Sequence, residues 1–136
     1  MTPEQRARQI IDSLLEQAGW AVQDRGALNL RTGRGVAVRE FAMRDGAADY
    51  LLFVDRRAVG TVEAKKVGYP LIGVEEQSAK YSAGLPEGVP AARTPLPFAY
   101  ETTGVETRFT SLLDPEPRSR PVFAFHRPET LAAWLE

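Results

Sequence analysis

Three charged residues in the most apolar part of the sequence could carry out chemistry together. Asp49 stands at the start of the apolar run YLLFV, and Glu63 and Lys65 lie in the next predicted strand, AVGTVEAKK at residues 58–66. Side chains alternate along a strand, so Glu63 and Lys65 share a face. Two carboxylates and an amine are the groups that a metal-assisted hydrolase uses.

A divalent cation would make this set of charges favourable. Two carboxylates at cross-strand distance repel each other, and a cation between them offsets that repulsion. Mg²⁺ held by one or two carboxylates keeps positions open for water and a phosphate oxygen. Lys65 would hold the attacking water or the phosphate as a point charge. An E-x-K sequence is usually a solvated ion pair, but charges in an apolar strand pair are costly, which favours a phosphodiesterase.

The hairpin between the two strands decides whether Asp49 joins the other two residues. A three-residue loop at residues 55–57 places Asp49 opposite Glu63, and a loop one residue later places it opposite Lys65. A two-residue loop would turn Asp49 to the other face. We therefore predict a loop of odd length or a β-bulge.

A polar pair follows on the next predicted helix, VEEQSAKYSA at residues 74–83, which ends at Gly84. Gln77 and Tyr81 are four residues apart and share a helix face. They could position a nucleic-acid strand or support Lys65. Spacing alone favours the simpler interpretation, a surface glutamine and a half-buried tyrosine.

The remaining pattern alternates helices and strands. Thr2-Pro3-Glu4-Gln5 predicts the start of a first helix, and Gly19 predicts its end. The run at 48–54 is apolar on both faces and predicts a central strand covered on both sides. Further strands are predicted around residues 36–41, 98–102 and 106–109, and a last helix opens at residue 127. The chain stops inside that helix, as expected for a piece of a longer protein.

Composition limits the chemistry. The chain has 136 residues, no cysteine, one histidine and a net charge of -1. Thiolate zinc sites, cysteine nucleophiles and multi-histidine metal sites are therefore excluded, and carboxylate sites for Mg²⁺ or Mn²⁺ remain. The histidine, His126, lies in a short apolar segment and is interpreted as structural. There is no P-loop sequence and no apolar run of membrane-spanning length, which predicts one cytoplasmic domain.

Several blocks of the sequence resemble a known family. GAADYLLFVDRRAVGTVEAKK followed by EEQSAKY resembles the PD-(D/E)xK nuclease core with its downstream QxxxY element. The flanking blocks RQIIDSLLEQAGW, GRGVAVREF, TTGVETRF, DPEPRSRPVF and FHRPETLAAWL extend the similarity over nearly the whole chain. Together they resemble the N-terminal region of the type I restriction enzyme R subunit, HsdR. This resemblance implies an α/β fold of restriction-endonuclease-like type, a mixed central sheet flanked by helices, in a single domain at residues 1–136.

The resemblance also implies roles for individual residues. Asp49 and Glu63 would bind the metal, Lys65 would be catalytic, and Gln77 and Tyr81 would orient DNA or the lysine. Many relatives place a further acidic residue near the metal, and the candidates here are Glu4, Asp12 and Glu16 on the first helix and Glu40 before the core. The proline of the motif's name is replaced by Ala48.

The implied function is Mg²⁺- or Mn²⁺-dependent cleavage of double-stranded DNA. In the family, ATP drives motor domains that lie outside these residues, and the R subunit works with methyltransferase and specificity subunits. Two alternatives stay open. A non-catalytic docking module of the restriction complex would not need Asp49, and a stand-alone, resolvase-like nuclease would carry a broad basic face and a dimer surface.

Overall fold

The fold is arranged around a central strand that is apolar on both faces. The computed structural model describes the backbone of all 136 residues and every side chain except those of Glu76 and Gln77. The helices are α1 (Pro3–Gln17), α2 (Glu75–Ala83) and α3 (Pro128–Trp134), with a 3₁₀ turn at Arg25–Ala27. The strands are β1 (Ala21–Asp24), β2 (Gly35–Met43), β3 (Gly46–Val54), β4 (Arg57–Ala64), β5 (Phe98–Thr102), β6 (Thr107–Ser111) and β7 (Arg120–Val122).

The strands of the described backbone form one seven-stranded mixed sheet whose spatial order follows the chain, β1-β2-β3-β4-β5-β6-β7. β1 and β2 are parallel, as are β4 and β5, and the other neighbours are antiparallel. Parallel neighbours need a crossover connection, and the connection from β4 to β5 contains α2. The predicted mixed sheet flanked by helices is confirmed.

Apolar side chains pack on both faces of the sheet. On one face, Ile11 and Leu15 of α1 belong to the same buried cluster as Tyr50 of β3. On the other face, Leu51 packs in a second cluster with Tyr81 of α2. Neighbouring residues of β3 thus point to opposite clusters, which confirms the prediction of a strand covered on both sides. Each large apolar side chain buried in this way contributes about 1.5–3 kcal/mol.

The N-terminal helix begins and ends as the sequence predicts. Thr2 and Gln5 form a capping box: the Thr2 hydroxyl accepts from the Gln5 amide at 3.1 Å, and the Gln5 side chain accepts from the Thr2 amide at 2.9 Å. Gly19 follows the helix with a φ of +96°, a conformation that glycine adopts readily. No helix in the described part of the chain is long and apolar enough to cross a membrane.

The β3–β4 hairpin has a two-residue turn and a bulge. Asp55 and Arg56 both have positive φ values, 50° and 69°, as a tight hairpin turn requires. The register changes where Phe53 pairs with Ala58 and Leu52 pairs with Gly60, so Val59 is the extra residue. Of the two predicted possibilities, an odd loop or a bulge, the bulge is therefore the one that forms.

The single histidine is part of an aromatic corner near the C-terminus. The His126 Nδ1 lies 2.6 Å from the Tyr100 hydroxyl, and its carbonyl accepts from the Trp20 indole at 2.9 Å. Its ring packs against Phe109 and Trp134, with centroids 4.6 and 5.0 Å away. Burial, together with the charge of a nearby arginine, lowers the pKa of His126. These contacts agree with a structural role.

Candidate metal centre

Asp49 and Glu63 come together at one end of the β3–β4 ladder, and we call them the carboxylate pair. Beyond the bulge, Tyr50 pairs with Val62, so the next step along the ladder brings Asp49 beside Glu63. The Asp49 Oδ2 accepts a hydrogen bond of 2.7 Å from the Ala64 amide, which holds the aspartate against the end of β4. The predicted juxtaposition of these two residues is confirmed, and the bulge at Val59 produces it.

Glu63 is a buried carboxyl group with one oxygen that has no hydrogen-bond partner. Its exposed fraction is 2%, and its Oε1 has no hydrogen-bond partner. Burial and, after it, the neighbouring Asp49 carboxylate raise the pKa of Glu63 to about 8, and the charge of Lys65 opposes this shift. A buried acceptor that lacks a donor is costly. A cation beside the carboxylate pair would satisfy this oxygen, so the donor set fits a hard divalent cation.

Asp49 already has a cationic neighbour from α1. The Arg8 Nη2 forms a salt bridge and hydrogen bond with the Asp49 Oδ1. The Arg8 Nη1 lies 3.6 Å from the Glu40 carboxylate, and the guanidinium carbon lies 5.6 Å from the centre of the Tyr50 ring. Within the carboxylate pair, Asp49 therefore forms a salt bridge with Arg8, and Glu63 does not.

Lys65 lies just past the end of β4, beside the carboxylate pair. Its amide donates to the Thr102 carbonyl at 2.9 Å, which continues the pairing between β4 and β5 by one residue. Its Nζ lies 5.2 Å from the centre of the Tyr69 ring, a cation–π contact. The sequence predicted a strand that reaches residue 66, whereas β4 ends at Ala64. The lysine therefore extends from the strand end, where its side chain is less confined than in mid-strand.

The QxxxY pair lies on α2 as predicted, and one of its two members is described. Tyr81 is 8% exposed and packs in the second apolar cluster, with Leu51 of β3. A Cβ built on Gly46 would lie 3.4 Å from the Tyr81 hydroxyl oxygen, which places that hydroxyl beside the first residue of β3. Gln77 falls on a side chain outside those described, so its proposed role stays a prediction.

The four candidates for an extra acidic residue lie in different surroundings. Asp12 accepts from the Tyr50 hydroxyl at 2.5 Å and from Arg39 Nη2 at 2.9 Å, so it forms a closed polar network. Glu4 and Glu16 are exposed on α1. Glu40 is 71% exposed and reaches Arg8. Among the described residues, no three acidic or histidine side chains converge on one metal position.

Two residues near the site, Arg8 and Glu101, were not predicted from the sequence, because neither belongs to a recognised motif. Arg8 is four residues before Asp12, beside the apolar stripe of α1, and that helical spacing was the available signal. Glu101 of β5 is fully buried and pairs in register with Glu63. Its Oε2 accepts from the Ser78 hydroxyl at 2.7 Å, its Oε1 has no hydrogen-bond partner, as in Glu63, and burial raises its pKa. No sequence signal distinguished it, because register between parallel strands depends on the crossover.

The fold and the site define a class of protein: a mixed α/β domain with a buried carboxylate pair and a lysine at the end of one central strand. Residues 24–135 match a family model described as the type I restriction enzyme EcoKI endonuclease subunit second domain. Since this match covers more than half of the chain, the chain belongs to that family.

A solved structure has the same fold. The chain is similar to a fragment from Vibrio vulnificus YJ016 that is described as the HsdR subunit of a type I restriction enzyme, with a TM-score of 0.72 and 20% sequence identity. The similarity covers 99% of this chain and 25% of that one, so this chain corresponds to about a quarter of the HsdR fragment. A search of curated proteins found no significant match.

Proposed function

We propose that this chain is the nuclease domain of a type I restriction enzyme R subunit and hydrolyses double-stranded DNA with a divalent cation. The observation that carries the proposal is Glu63: a buried carboxyl group, beside Asp49, with one oxygen that has no partner. Membership of an endonuclease-subunit family supports the reaction type. We further assign the domain to the PD-(D/E)xK superfamily and its sheet to the restriction-endonuclease-like type.

The chain's own residues have separate roles in this proposal. Asp49 and Glu63 bind Mg²⁺ or Mn²⁺, and the bound cation supplies a Lewis acid for phosphate oxygens and an acidic water. Lys65, at the end of β4, orients the attacking water or the scissile phosphate through its charge. Tyr81, with Gln77, orients the DNA strand or the lysine from α2. Asp12 is the least favoured candidate for an extra acidic ligand in this proposal, because it already accepts from Arg39 and Tyr50.

The remaining parts of the reaction lie outside this chain in the proposal. A chain of net charge -1 binds DNA weakly, because contacts with phosphate supply most non-specific affinity. ATP-driven motor domains of the R subunit would therefore hold the duplex. Methyltransferase and specificity subunits would complete the complex in the cytoplasm, where the DNA is.

Calorimetric titration with Mn²⁺, without DNA, tests the proposed site. We expect the wild-type chain to bind Mn²⁺, and we expect Asp49→Asn and Glu63→Gln to lose that binding. Glu101→Gln is the matched control, since Glu101 is as buried as Glu63 and lies on the neighbouring strand. It should still bind the ion. A wild-type chain that binds no Mn²⁺, or equal loss in all three variants, would contradict the assignment.

One observation favours the docking alternative. Both oxygens of Asp49 already have partners within the protein, the Arg8 guanidinium and the Ala64 amide. A domain that kept the fold only for assembly would retain such internal pairing. In that case Asp49→Asn would leave assembly with the other subunits unchanged, and the wild-type chain would not bind Mn²⁺.

A further inference from the structure

Arg8 is the one cation that contacts the carboxylate pair through a salt bridge in the described part of the chain, and no motif assigns it a role. We propose that Arg8 stands in for the metal beside Asp49 in the metal-free protein, is displaced when the cation binds, and then binds a phosphate of the DNA. This inference rests on the proposed function, and it adds a positioning residue from α1 to a site otherwise built from strands and α2.

Three neighbours place the Arg8 guanidinium in front of Asp49. One nitrogen binds the Asp49 Oδ1, the other lies 3.6 Å from a Glu40 oxygen, and the Tyr50 ring lies beneath at 5.6 Å. The Arg8 and Asp49 side chains are 27% and 21% exposed, so water only partly screens the interaction. The guanidinium therefore lies against the Asp49 side of the carboxylate pair.

Arg8 contacts only one member of the carboxylate pair, Asp49. The Glu63 Oε1 is buried and has no hydrogen-bond partner. A divalent cation contacts both carboxylates at once and carries two charges, so it satisfies more of the pair than one guanidinium can. An arginine cannot lose its proton in a protein. The cation and Arg8 therefore repel each other, and the guanidinium leaves when the cation enters.

The displaced guanidinium remains near the place where the substrate would bind. Its second nitrogen already points toward Glu40, which is 71% exposed at the surface. The anion that DNA brings to this surface is a phosphate, which arginine binds with two parallel hydrogen bonds. Arg8 would thus couple the two binding events, since the cation releases it and the phosphate holds it.

Arg39 lies on the same side of the sheet as Arg8 and provides a comparison, because its contacts are those of a structural arginine. It contacts both oxygens of Asp12 and also reaches Asp24, and the Asp12 carboxylate receives a further hydrogen bond from Tyr50. All of those charges have partners. Arg8 differs because the carboxylate pair that it contacts still has one oxygen, the Glu63 Oε1, without a hydrogen-bond partner.

Two measurements test the exchange. In Mn²⁺ calorimetry without DNA, Arg8→Met should bind the ion about fivefold more tightly than wild type, because the competing charge is gone. Arg6→Met is the matched control: it removes the same charge from an exposed position on α1 and should not change the affinity. With saturating Mg²⁺, DNA cleavage by Arg8→Met should fall by about tenfold or more, because a phosphate contact is lost.

The wild-type chain provides an independent readout that requires no substitution. Addition of Mg²⁺ should shift the NMR signal of the Arg8 side-chain Nε–H and leave that of Arg39 in place. Mn²⁺ binding by Arg8→Met that is equal to or weaker than that of wild type would overturn the exchange, as would an unmoved Arg8 signal on Mg²⁺ binding. A wild-type chain that binds neither ion would instead overturn the proposed function, so the two failures can be distinguished.

Discussion

Two groups of acidic residues meet at β3, and they differ in how many of their carboxyl oxygens have hydrogen-bond or ion-pair partners. The first, which we call the Asp12 cluster, consists of Asp12, Arg39, Asp24 and Tyr50. The Tyr50 hydroxyl lies 2.5 Å from Asp12, and Arg39 donates to Asp12 at 2.9 Å and to Asp24 at 3.0 Å. The second is the carboxylate pair, which begins at Asp49, the residue before Tyr50. There one carboxyl oxygen of Glu63 has no partner.

The difference separates carboxylates whose charge is balanced within the protein from the pair to which we assign a metal. In the Asp12 cluster, the pKa of Arg39 is raised, first by its hydrogen bond with Asp12, so both charges persist. The pKa of Tyr50 is raised by burial and then by Asp12, so its hydroxyl stays a donor. In the carboxylate pair, the pKa of Glu63 moves in the direction of the neutral form because of burial and of like charge. The proposed metal site depends on this combination of an unpartnered carboxyl oxygen and a second carboxylate beside it.

The largest expected effect is on catalysis. Glu63→Gln should reduce cleavage of plasmid DNA with Mg²⁺ by at least about 100-fold, because a metal ligand contributes several kcal/mol to transition-state stabilisation. Asp12→Ala should keep most of its activity per folded molecule. The rate of plasmid nicking, measured for both variants beside wild type, checks this. Similar losses of cleavage activity in Glu63→Gln and Asp12→Ala would contradict the distinction between the carboxylate pair and the Asp12 cluster.

The second effect is on stability and has the opposite ranking. Asp12→Ala should lower the free energy of unfolding by about 2–3 kcal/mol, because Tyr50 and Arg39 lose a charged acceptor. Glu63→Gln should not destabilise the metal-free protein at pH 8, since it removes a buried carboxylate. Urea unfolding in the presence of a chelator gives both values. A large loss of stability in Glu63→Gln would indicate that Glu63 is structural.

The third effect is a pH dependence that only the carboxylate pair should produce. The folded pKa of Glu63, about 8, exceeds the ordinary value of 4.5, so the folded state binds its proton more tightly than the unfolded state does. The stability that this proton contributes is complete below pH 4.5 and is lost as the pH rises to about 8. Metal-free wild type should lose about 1–2 kcal/mol between pH 6 and pH 8.

Thermal unfolding at several pH values, with chelator, measures this loss. Glu63→Gln is the control, and its unfolding temperature should fall less over the same range. Added Mg²⁺ should flatten the wild-type profile, because a bound cation favours the charged carboxylate. Parallel pH profiles for the two proteins would show that Glu63 does not titrate in this range.

The smallest effect concerns α2. Tyr81→Phe keeps the ring in its apolar cluster and removes the hydroxyl that lies beside Gly46. We expect cleavage to fall by less than about tenfold and the free energy of unfolding to change by less than about 1 kcal/mol. Steady-state cleavage and urea unfolding check the two values. A loss as large as that of Glu63→Gln would move Tyr81 into the group of metal-site residues.

Local sequence patterns predicted the elements around the site because each pattern acts over a few residues. The capping box at Thr2 and Gln5 needs only helix geometry, and the burial of β3 on both faces follows from a continuous apolar run. The helix ending at Gly84 was also predicted, since residues 74–83 contain no breaker. These features brought the carboxylate pair within one hairpin.

The partners of the acidic residues could not be predicted in this way. Asp12 was predicted only as a candidate metal ligand, and the structure places Arg39 and Tyr50 around it. The contact of Arg8 with Asp49 joins residues 41 positions apart. Both results depend on how α1 packs on the sheet, and many side chains contribute to that packing at once.

The sequence by itself therefore identified the residues on which the proposed chemistry depends: two carboxylates and a lysine on one hairpin, in a chain with no cysteine and a single histidine. The tertiary structure alone decided which charges are neutralised. The bulge at Val59 set the hairpin register, and the docking of α1 supplied a cation to Asp49, while one oxygen of Glu63 stayed without a hydrogen-bond partner. The physical reason is that residue types and spacing are local properties, whereas desolvation and ion pairing depend on every group that packs against the site.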